Sequence, residues 1–467
     1  MFHASTSDEV LYGGARGGGK SVALIMEAWQ RSVETPGHKS LILRRSYKQL
    51  EKSLIRHMRE HFPENFGHFV KNDMTYHFPN GSLIDFGYLN TDDDKYEYQG
   101  REYDFVGFEE LTQFTYSQYS YILSSTRTSK DVITPVIRCT SNPGNIGHNW
   151  VKSRFLDFAE PMEKKEVDLT KEMAELKEAN PEVDLDKLTF TRQFIPSTVF
   201  DNKHIVDNDP MYILRLQQLP IDEREAYLYG NWDVFGGQVF KEFDKKKHTL
   251  TPFNIPSHWQ KYMSIDWGYK EPFAIVWGTV VNEDYKINGR TLKEGSVIIY
   301  REHYGTRNPG SNEGIELEAS EVASNVIDME DEQVHIRIAD HDMFAKRGHS
   351  APTIAETFGE YFLYLTRADK GSGSRIQGKM EMHKRFRIED EEPSLYFLDD
   401  CKHCIRTIPS LPYSTSSRNP EDVETKNVED HLYDAVRYLL MARPIGRDEK
   451  PKRIHKKKKG NDKYTGY

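Results

Sequence analysis

The N-terminal part of the chain is built around the stretch Leu11-Tyr12-Gly13-Gly14-Ala15-Arg16-Gly17-Gly18-Gly19-Lys20-Ser21. Residues 14–21 fit the pattern G-x-x-x-x-G-K-[ST], in which backbone N–H groups surround phosphate oxygens, the lysine reaches the β- and γ-phosphates and the hydroxyl holds Mg²⁺. A short apolar segment precedes the pattern, and residues 22–31 have helical spacing, so a helix N-terminus would point at the phosphates. The stretch predicts a nucleotide-binding loop rather than a glycine-rich surface turn. The residues predicted to contact ATP are Gly14, Ala15, Arg16, Gly17, Gly18, Gly19, Lys20 and Ser21, with the Ser21 hydroxyl also a ligand of the Mg²⁺ ion.

Apolar segments downstream of this loop alternate with helical ones, which is typical of a parallel sheet. Strands are predicted at residues 40–43, 103–108 and 135–139, and a basic helical segment extends to about residue 61. Residues 74–78 and 82–88, separated by Pro79-Asn80-Gly81, are predicted to form a hairpin inserted before the next core strand.

Polar side chains follow two of these predicted strands. Glu109 and Glu110 end an apolar run, and open α/β sheets bind ligands at the carboxyl ends of their strands. We therefore expect Glu109 to coordinate the Mg²⁺ ion of ATP, and Glu110 to orient or deprotonate the attacking water. Asn142, in Thr140-Ser141-Asn142-Pro143-Gly144, follows the next strand, where it can sense the γ-phosphate. Together with the loop, these residues predict an ATP-driven motor core.

The second half of the chain has a different pattern. Three predicted strands at residues 261–265, 273–280 and 296–304 form an antiparallel start, with Asp266 after the first of them. Asp340 follows a later strand, and Asp434 lies on an amphipathic helix, one turn after Asp430. Carboxylates are preferred ligands of Mg²⁺ and Mn²⁺, and two such ions about 4 Å apart activate water in phosphodiester hydrolysis. Asp266, Asp340 and Asp434 are therefore predicted catalytic residues and metal ligands, in the strand and helix arrangement of a ribonuclease-H-like nuclease.

Other residues of this half leave alternatives open. Glu302, Asp342 and Asp430 are each a possible fourth ligand or a locally bonded surface charge. The basic residues 367–375 form either a loop along a DNA backbone or a solvated loop. Cys401 and Cys404 are more typical of packing than of a zinc site, because no second Cys pair exists.

Composition limits the class of protein. With 467 residues the chain can form two or three domains, and its 37% hydrophobic content is that of a globular protein. The apolar runs are shorter than the roughly 18 residues that span a bilayer, so no membrane segment is expected. The net charge of −10 does not indicate a nucleic-acid binder by itself, although Lys or Arg occupies eight of residues 447–459.

The combined pattern divides the chain into four parts. Residues 1–150 are predicted to form a P-loop ATPase core with a mainly parallel sheet, and residues 151–235 a helical lid and connector. Residues 236–445 are predicted to form a ribonuclease-H-like nuclease with a mixed sheet, and residues 446–467 a basic, disordered tail. The predicted fold class is α/β throughout.

This order of motifs resembles the large terminase subunit of tailed bacteriophages, and the resemblance extends over nearly the whole chain. The motifs that carry it are residues 13–21, Leu43-Arg44-Arg45, Phe108-Glu109-Glu110, residues 140–144, Gly230-Asn231-Trp232, and the acids Asp266, Asp340 and Asp434. The resemblance implies a motor and nuclease that packages double-stranded DNA into a procapsid and cuts the concatemeric DNA. The implied cofactors are ATP with Mg²⁺, and Mg²⁺ or Mn²⁺, as two ions, at the nuclease site.

The same resemblance implies partners and one further catalytic residue. It implies a pentameric ring docked on the portal protein, a small terminase subunit that selects viral DNA, and action in the cytoplasm of the infected host, with no place in the finished virion. Arg16 would act as an arginine finger in cis or couple hydrolysis to motion. The family pattern has Asp where this chain has Glu109. The family also has an adenine-contacting segment before the loop, whereas twelve residues precede Gly13 here, so other residues hold the adenine or the natural start lies upstream.

Two alternative functions remain compatible with the residues. One is a helicase-like repair ATPase whose C-terminal half binds DNA without cutting it. The other is a non-enzymatic C-terminal half that docks on a protein ring, with its acids serving as surface charge. Ordered metal at Asp266, Asp340 and Asp434 would argue against both.

Overall fold

The structure is a computed structural model. It describes residues 1–130, 133–180, 182, 188–234, 237–346, 351–371, 373–414, 420–426 and 428–442. The predicted basic tail, residues 446–467, and residue 372 of the predicted basic loop lie outside the described residues. No helix among the described residues is both long enough and apolar enough to cross a membrane.

A large, mainly parallel sheet forms the N-terminal half. Within the described residues it has nine strands in the order β3-β4-β5-β2-β6-β7-β1-β9-β8, of which β5, β2, β6, β7, β1 and β9 run parallel. The strands are β1 (Glu9–Gly14), β2 (Lys39–Arg44), β3 (His68–Val70), β4 (Thr75–His77), β5 (Leu83–Tyr88), β6 (Phe105–Glu109), β7 (Val136–Ser141), β8 (Lys164–Glu166) and β9 (Thr191–Ser197). The predicted parallel α/β fold is confirmed.

Helices cover both faces of this sheet and continue into the segment beyond it. They are α1 (Lys20–Glu34), α2 (Tyr47–Leu50), α3 (Arg56–His61), α4 (Tyr116–Leu123), α5 (His148–Val151), α6 (Thr170–Ala179), α7 (Lys203–Asn208), α8 (Pro210–Gln217) and α9 (Ile221–Tyr227). The π-helical segments Glu51–Ile55 and Lys152–Leu156 extend α2 and α5. Short 3₁₀ segments are Phe2–Ala4, Glu64–Phe66, Asp93–Tyr98, Leu111–Gln113, Val199–Asp201, His341–Phe344 and Ile408–Ser410.

Helix α1 is held on the sheet by its apolar side. Leu24 and Ile25 are fully buried in the same cluster as Val10, Ile42 and Phe105 of strands β1, β2 and β6. Burying a Leu or Ile side chain contributes about 1.5–3 kcal/mol relative to leaving it exposed. This packing fixes the N-terminus of α1 at the carboxyl end of β1, where the glycine-rich stretch lies.

Two parts of the first sheet differ from the sequence interpretation. The predicted hairpin is antiparallel, as β4 and β5 pair, but it is not an insertion, because β5 pairs in parallel with β2. More importantly, β9 lies in the segment interpreted as a lid and connector, and it pairs along the whole of β1. The sheet that carries the glycine-rich loop therefore extends beyond residue 150.

The C-terminal half contains a mixed sheet. In the part of the chain that the structure describes, its seven strands have the order β10-β18-β15-β12-β11-β16-β17, and β13 pairs with β14 in a separate hairpin. The strands are β10 (Thr249–Leu250), β11 (Lys261–Asp266), β12 (Ala274–Val280), β13 (Tyr285–Ile287), β14 (Arg290–Leu292), β15 (Val297–Tyr304), β16 (Ile336–Ala339), β17 (Leu365–Arg367) and β18 (Leu395–Leu398). The helices are α10 (Lys245–His248), α11 (Ala319–Met329), α12 (Ile354–Glu360), α13 (Ser374–Phe386), α14 (Lys402–Thr407) and α15 (His431–Met441).

The central strands of this sheet have ribonuclease-H-like topology, as predicted. Strands β11, β12 and β15 are antiparallel, and β16 and β17 continue on the other side of β11 in parallel with it. Helix α15 crosses β11, where the Ser264 hydroxyl donates to the Ala435 carbonyl at 2.6 Å. The residues of α15 from His431 to Leu440 are buried, so the late amphipathic helix is a core element of this half.

Candidate functional site

The glycine-rich loop follows β1 at the carboxyl edge of the first sheet. Gly14 has a φ of 132°, which L side chains rarely adopt, and a Cβ atom there would lie 2.5 Å from the Ser197 carbonyl oxygen of β9. The next amide, of Ala15, donates to that same oxygen at 2.7 Å. A left-handed backbone and this close approach require glycine at position 14. Strand β9, which the sequence interpretation assigned to the lid, therefore shapes the loop directly.

Lys20 begins α1 and is turned into the loop. Its ammonium donates to the Ala15 carbonyl, and its side chain is buried. Burial lowers the pKa of Lys20 to about 8, against the opposing effect of the Glu110 carboxylate. A buried ammonium group that has further N–H donors available is suited to bind an anionic ligand such as a phosphate.

Glu109 and Glu110 have different surroundings at the tip of β6. Glu109 is buried, accepts a hydrogen bond from the Ser53 hydroxyl at 2.9 Å and lies 3.5 Å from Nε of Arg44. Glu110 has a φ of 55° and accepts a hydrogen bond from Nδ2 of Asn142 at 2.7 Å. Glu110 and Asn142, which were each predicted at the end of a strand, are thus in direct contact. The Oδ1 atom of Asn142 is buried with no hydrogen-bond partner among the described atoms.

Arg16 contacts helix α9 of the lid segment. Its amide donates to the Tyr227 carbonyl at 2.7 Å, and its guanidinium carbon lies 3.6 Å from the centre of the Tyr227 ring. Tyr227 ends α9 in the lid segment. The structure therefore connects Arg16 to the lid through a cation–π contact.

A cavity of about 310 Å³ adjoins the glycine-rich loop. Gly14, Ser197, Tyr229 and Trp232 are among its lining residues. The Ser197 hydroxyl and the Trp232 ring nitrogen are buried without a hydrogen-bond partner among the described atoms. The lid segment and the end of β9 thus enclose polar groups beside the loop.

These features fit ATP with Mg²⁺. A left-handed glycine turn at a helix N-terminus, a buried lysine and two strand-end carboxylates supply donors for phosphate and ligands for the ion. Ser21 follows Lys20 in the first turn of α1, where the predicted metal ligand is required.

The second site is an acid cluster at the carboxyl edge of the C-terminal sheet. It consists of Asp266, Asp340, Asp430 and Asp434, all of them buried. Asp266 ends β11, and Asp340 follows β16, whose backbone is joined to β11 by the bond from the Asp340 amide to the Ile265 carbonyl at 3.1 Å. Asp430 caps α15, and its carbonyl accepts from the Asp434 amide at 3.0 Å. The three predicted acids therefore converge, with Asp430 as a fourth.

The other two candidates for a fourth ligand lie elsewhere. The Glu302 carboxylate accepts hydrogen bonds from the backbone amides of His403 and Cys404, at 2.7 and 2.8 Å, at the start of α14. Asp342 is exposed in the 3₁₀ segment after β16. Cys404 is buried, as is Cys401.

His431 was missed by the sequence interpretation. Its Nδ1 atom lies 3.1 Å from Oδ2 of Asp266, and its Nε2 atom lies 3.2 Å from Oδ1 of Asn312. Burial opposes protonation of this ring, but Asp266 and Asp430 raise its pKa to about 9. The neighbouring carboxylates therefore favour the protonated form of the His431 ring. The missed signal was its position next to Asp430, within one turn of Asp434.

The acid cluster is suited to divalent metal ions. Burial, together with the neighbouring carboxylates, raises the pKa values of Asp266 and Asp430, so the site needs positive charge to keep its acids ionised. Clustered carboxylate oxygens are the ligands that Mg²⁺ and Mn²⁺ prefer. Asp266, Asp340 and Asp434, joined by Asp430, are the residues that would hold such ions.

Comparison with known proteins gives the family of the chain. Residues 11–247 match the family described as terminase large subunit, T4likevirus-type, N-terminal. No curated protein matches the sequence. Among solved structures, the large terminase of a thermophilic bacteriophage in complex with ADP is 16% identical, with 93% of this chain and 95% of that chain covered and a TM-score of 0.36.

Two further solved structures illustrate the range of similarity. The large terminase of bacteriophage HK97 is 11% identical, with 94% of this chain and 92% of that chain covered and a TM-score of 0.39. The nuclease domain of the P22 large terminase is 16% identical, with 45% of this chain and 95% of that chain covered and a TM-score of 0.33. Because the family match extends over half of the chain, and the motifs that carried the resemblance lie in two joined α/β folds, this chain belongs to the large terminase subunits of tailed bacteriophages.

Proposed function

We propose that this chain hydrolyses ATP to move double-stranded DNA into a viral procapsid and cuts the concatemeric DNA with a divalent-metal-dependent endonuclease. The observation that supports this most strongly is the presence of two separate ligand sites on two sheets of one chain. One combines a phosphate loop with Glu109 and Glu110, and the other is the acid cluster.

At the phosphate loop, each residue has a proposed role. Lys20 binds the β- and γ-phosphates, the backbone from Gly14 to Gly19 surrounds them, and Ser21 and Glu109 hold the Mg²⁺ ion. Glu110 orients or deprotonates the attacking water. Its hydrogen bond to Asn142 supports a route by which loss of the γ-phosphate is passed to β7.

Arg16 is the residue proposed to couple hydrolysis to motion. Its contact with the Tyr227 ring supports a coupling role, because α9 belongs to the lid segment. A guanidinium released from Tyr227 would neutralise charge on the transferring phosphoryl group. Within residues 151–235, predicted as a lid and connector, the helices α7 to α9 that follow β9 would link the two halves mechanically.

At the acid cluster, bound Mg²⁺ or Mn²⁺ ions would activate water and stabilise the leaving oxygen of the phosphodiester. Asp266, Asp340 and Asp434 hold these ions, with Asp430 beside them. His431 keeps Asp266 oriented through its 3.1 Å contact.

The proposed partners follow from packaging. They are double-stranded DNA, the portal protein, a small terminase subunit and further copies of this chain in a pentameric ring. The proposed place of action is the cytoplasm of the infected bacterium, at the procapsid portal.

A pair of single variants tests the two activities in one purified protein. Lys20→Ala should reduce ATP turnover by roughly 100-fold or more, because the phosphate charge loses its buried cation, and should leave Mn²⁺-supported cleavage of plasmid DNA unchanged. Asp266→Ala should abolish cleavage and leave ATP turnover unchanged. Normal cleavage by Asp266→Ala, Asp340→Ala and Asp434→Ala would refute the nuclease, and strand separation without cleavage would support a helicase-like ATPase.

A further inference from the structure

Two basic side chains enter the acid cluster from the segment that joins β17 to α13 and forms the first turn of α13. The Lys370 ammonium forms an ion pair with Oδ1 of Asp340. Arg375, in the first turn of α13, lies 3.2 Å from Asp434, 3.3 Å from Asp430 and 3.0 Å from Asp422 through its three guanidinium nitrogens. Each predicted acid except Asp266 is thus contacted by a cation from this segment.

Asp266 has a different partner, the His431 ring, at 3.1 Å. Asp340, Asp430 and Asp434 are therefore paired with lysine or arginine side chains of the chain itself, on carboxylates that are at most 9% exposed. Arg437 also contacts Asp434, at 2.9 Å, but it is buried in α15 and is part of the helix packing. Lys370 and Arg375 are different, because about a third of each side chain is exposed and each can move into solvent.

A divalent ion needs the same carboxylate oxygens. The Lys370 ammonium takes an oxygen of Asp340, and the Arg375 fork takes an oxygen of Asp434 and one of Asp430. Two cations cannot share a small set of oxygens at hydrogen-bond distance without repelling each other. A metal ion that binds through these oxygens therefore competes with Lys370 and Arg375 for them.

We propose that Lys370 and Arg375 are internal counter-ions that compete with divalent metal for the acid cluster and are withdrawn by the phosphates of bound DNA. The phosphate backbone is an alternative anion for both side chains. When they bind DNA phosphates, they leave the carboxylate oxygens, and the metal affinity of the site rises. Metal affinity and DNA affinity are then coupled, and each ligand raises the affinity for the other. The nuclease site therefore binds metal weakly until DNA is bound. This inference rests on the proposed metal-dependent nuclease.

The test measures Mn²⁺ affinity of the full, nucleotide-free chain by titration, with free Mn²⁺ followed by electron paramagnetic resonance. Lys370→Ala should bind Mn²⁺ about tenfold more tightly than the wild type, because a competing charge has been removed from Asp340. Lys370→Arg keeps the charge and should bind as the wild type does. Lys384→Ala, which removes an exposed lysine of α13, is the matched control and should leave the affinity unchanged.

DNA provides the second arm of the test. A short duplex with non-hydrolysable linkages should raise the Mn²⁺ affinity of the wild type and have a clearly smaller effect on Lys370→Ala. Thermal melting checks that each variant is folded, and Lys370→Gln replaces the alanine variant if it is not.

The outcomes separate this inference from the proposed function. Unchanged or weaker Mn²⁺ binding in Lys370→Ala, when Asp266→Ala has lost binding, overturns the counter-ion role and leaves the nuclease in place. Binding that is the same in the wild type and in Asp266→Ala overturns both, because the acid cluster then holds no metal.

Discussion

Gly14 shows how one residue depends on a strand nearly two hundred positions away. Its φ of 132° is in a region that side chains avoid, and the Ser197 carbonyl lies where its Cβ atom would be. The consensus G-x-x-x-x-G-K-[ST] identifies the glycine from sequence alone. The contact with β9 predicts that a side chain at this position would clash with the Ser197 carbonyl.

Replacing Gly14 should damage both stability and nucleotide binding. We expect Gly14→Ala to lower the free energy of unfolding by about 1–3 kcal/mol, from backbone strain and displacement of β9, and to weaken ADP binding. Gly37→Ala is the matched control, because Gly37 has a φ of 72° but nothing within 4 Å of its Cβ position. Urea denaturation and ADP titration of both variants make the measurement. Equal effects in the two variants would contradict the role of the Ser197 contact.

Residue patterns predicted the acids of the second site, but not the side chains that contact them. Asp266, Asp340 and Asp434 could be predicted because each follows a recognisable strand or lies on an amphipathic helix. His431 and Lys370 could not be predicted as their partners, since these contacts join residues from 30 to 165 positions apart. Charge pairing of this kind depends on how β16, β17 and α15 meet, and single-sequence periodicity contains no such information.

At the scale of elements, β9 was the main strand that sequence reasoning missed. Its residues, Thr191–Ser197, include a proline and several polar side chains, which is atypical of a central strand. The polar residues have partners in the folded chain. Nε of Arg192 donates to Glu9 of β1 at 2.8 Å, and Nε of Arg154 donates to the same carboxylate at 2.5 Å. Strand β9 is thus held partly by a buried ion pair. Its sequence therefore lacks the alternating apolar residues by which a strand is recognised.

The same pairing makes Glu9 a stability determinant. Burial alone would raise its pKa, but Arg154 and Arg192 outweigh it and lower the pKa to about 2. Glu9→Gln would leave two arginines without their carboxylate, and we expect a loss of about 3–5 kcal/mol in the free energy of unfolding. Glu60→Gln, which breaks an exposed pair with Arg56, should leave the denaturation midpoint unchanged. A Glu9→Gln midpoint equal to that of the wild type would refute the role of this pair.

At the scale of the whole molecule, the two halves follow from sequence to different degrees. The antiparallel start of the C-terminal sheet and the mixed, ribonuclease-H-like arrangement of that half were predicted and are confirmed. The first half was predicted as a parallel sheet, but its extent was not. Strand β8 lies within the highly charged residues 160–187, and β9 follows them, so this part of the chain has the composition of an exposed excursion. Such returns of the chain to a sheet depend on pairing between distant residues, such as Glu9 with Arg192.

Acid should destabilise the sheet of the N-terminal half. Burial lowers the pKa of His38 to about 4 and that of His148 to about 3, from an ordinary value of 6.5, and the arginines lower that of Glu9. A depressed pKa means that the folded state binds fewer protons than the unfolded state, so the stability it contributes is present above the unfolded pKa and lost as pH falls. The histidines act first, between pH 6.5 and about 3, and Glu9 follows between pH 4.5 and about 2. We expect each histidine to lower the free energy of unfolding by about 2 kcal/mol when the pH has fallen to 4.5.

Urea denaturation from pH 7.5 down to pH 4.5 measures this loss, with Trp fluorescence as the probe, because Trp232 stacks on His148 at a ring distance of 5.5 Å. His148→Gln should flatten the pH dependence between pH 6.5 and 4.5 even though it lowers stability at pH 7.5, since glutamine does not titrate. His57→Gln is the control for replacing a histidine at a partly exposed position on α3, and its denaturation midpoint at pH 7.5 should equal that of the wild type. A wild-type free energy of unfolding that stays constant across this range would contradict the assignment, since two buried neutral histidines require that it fall.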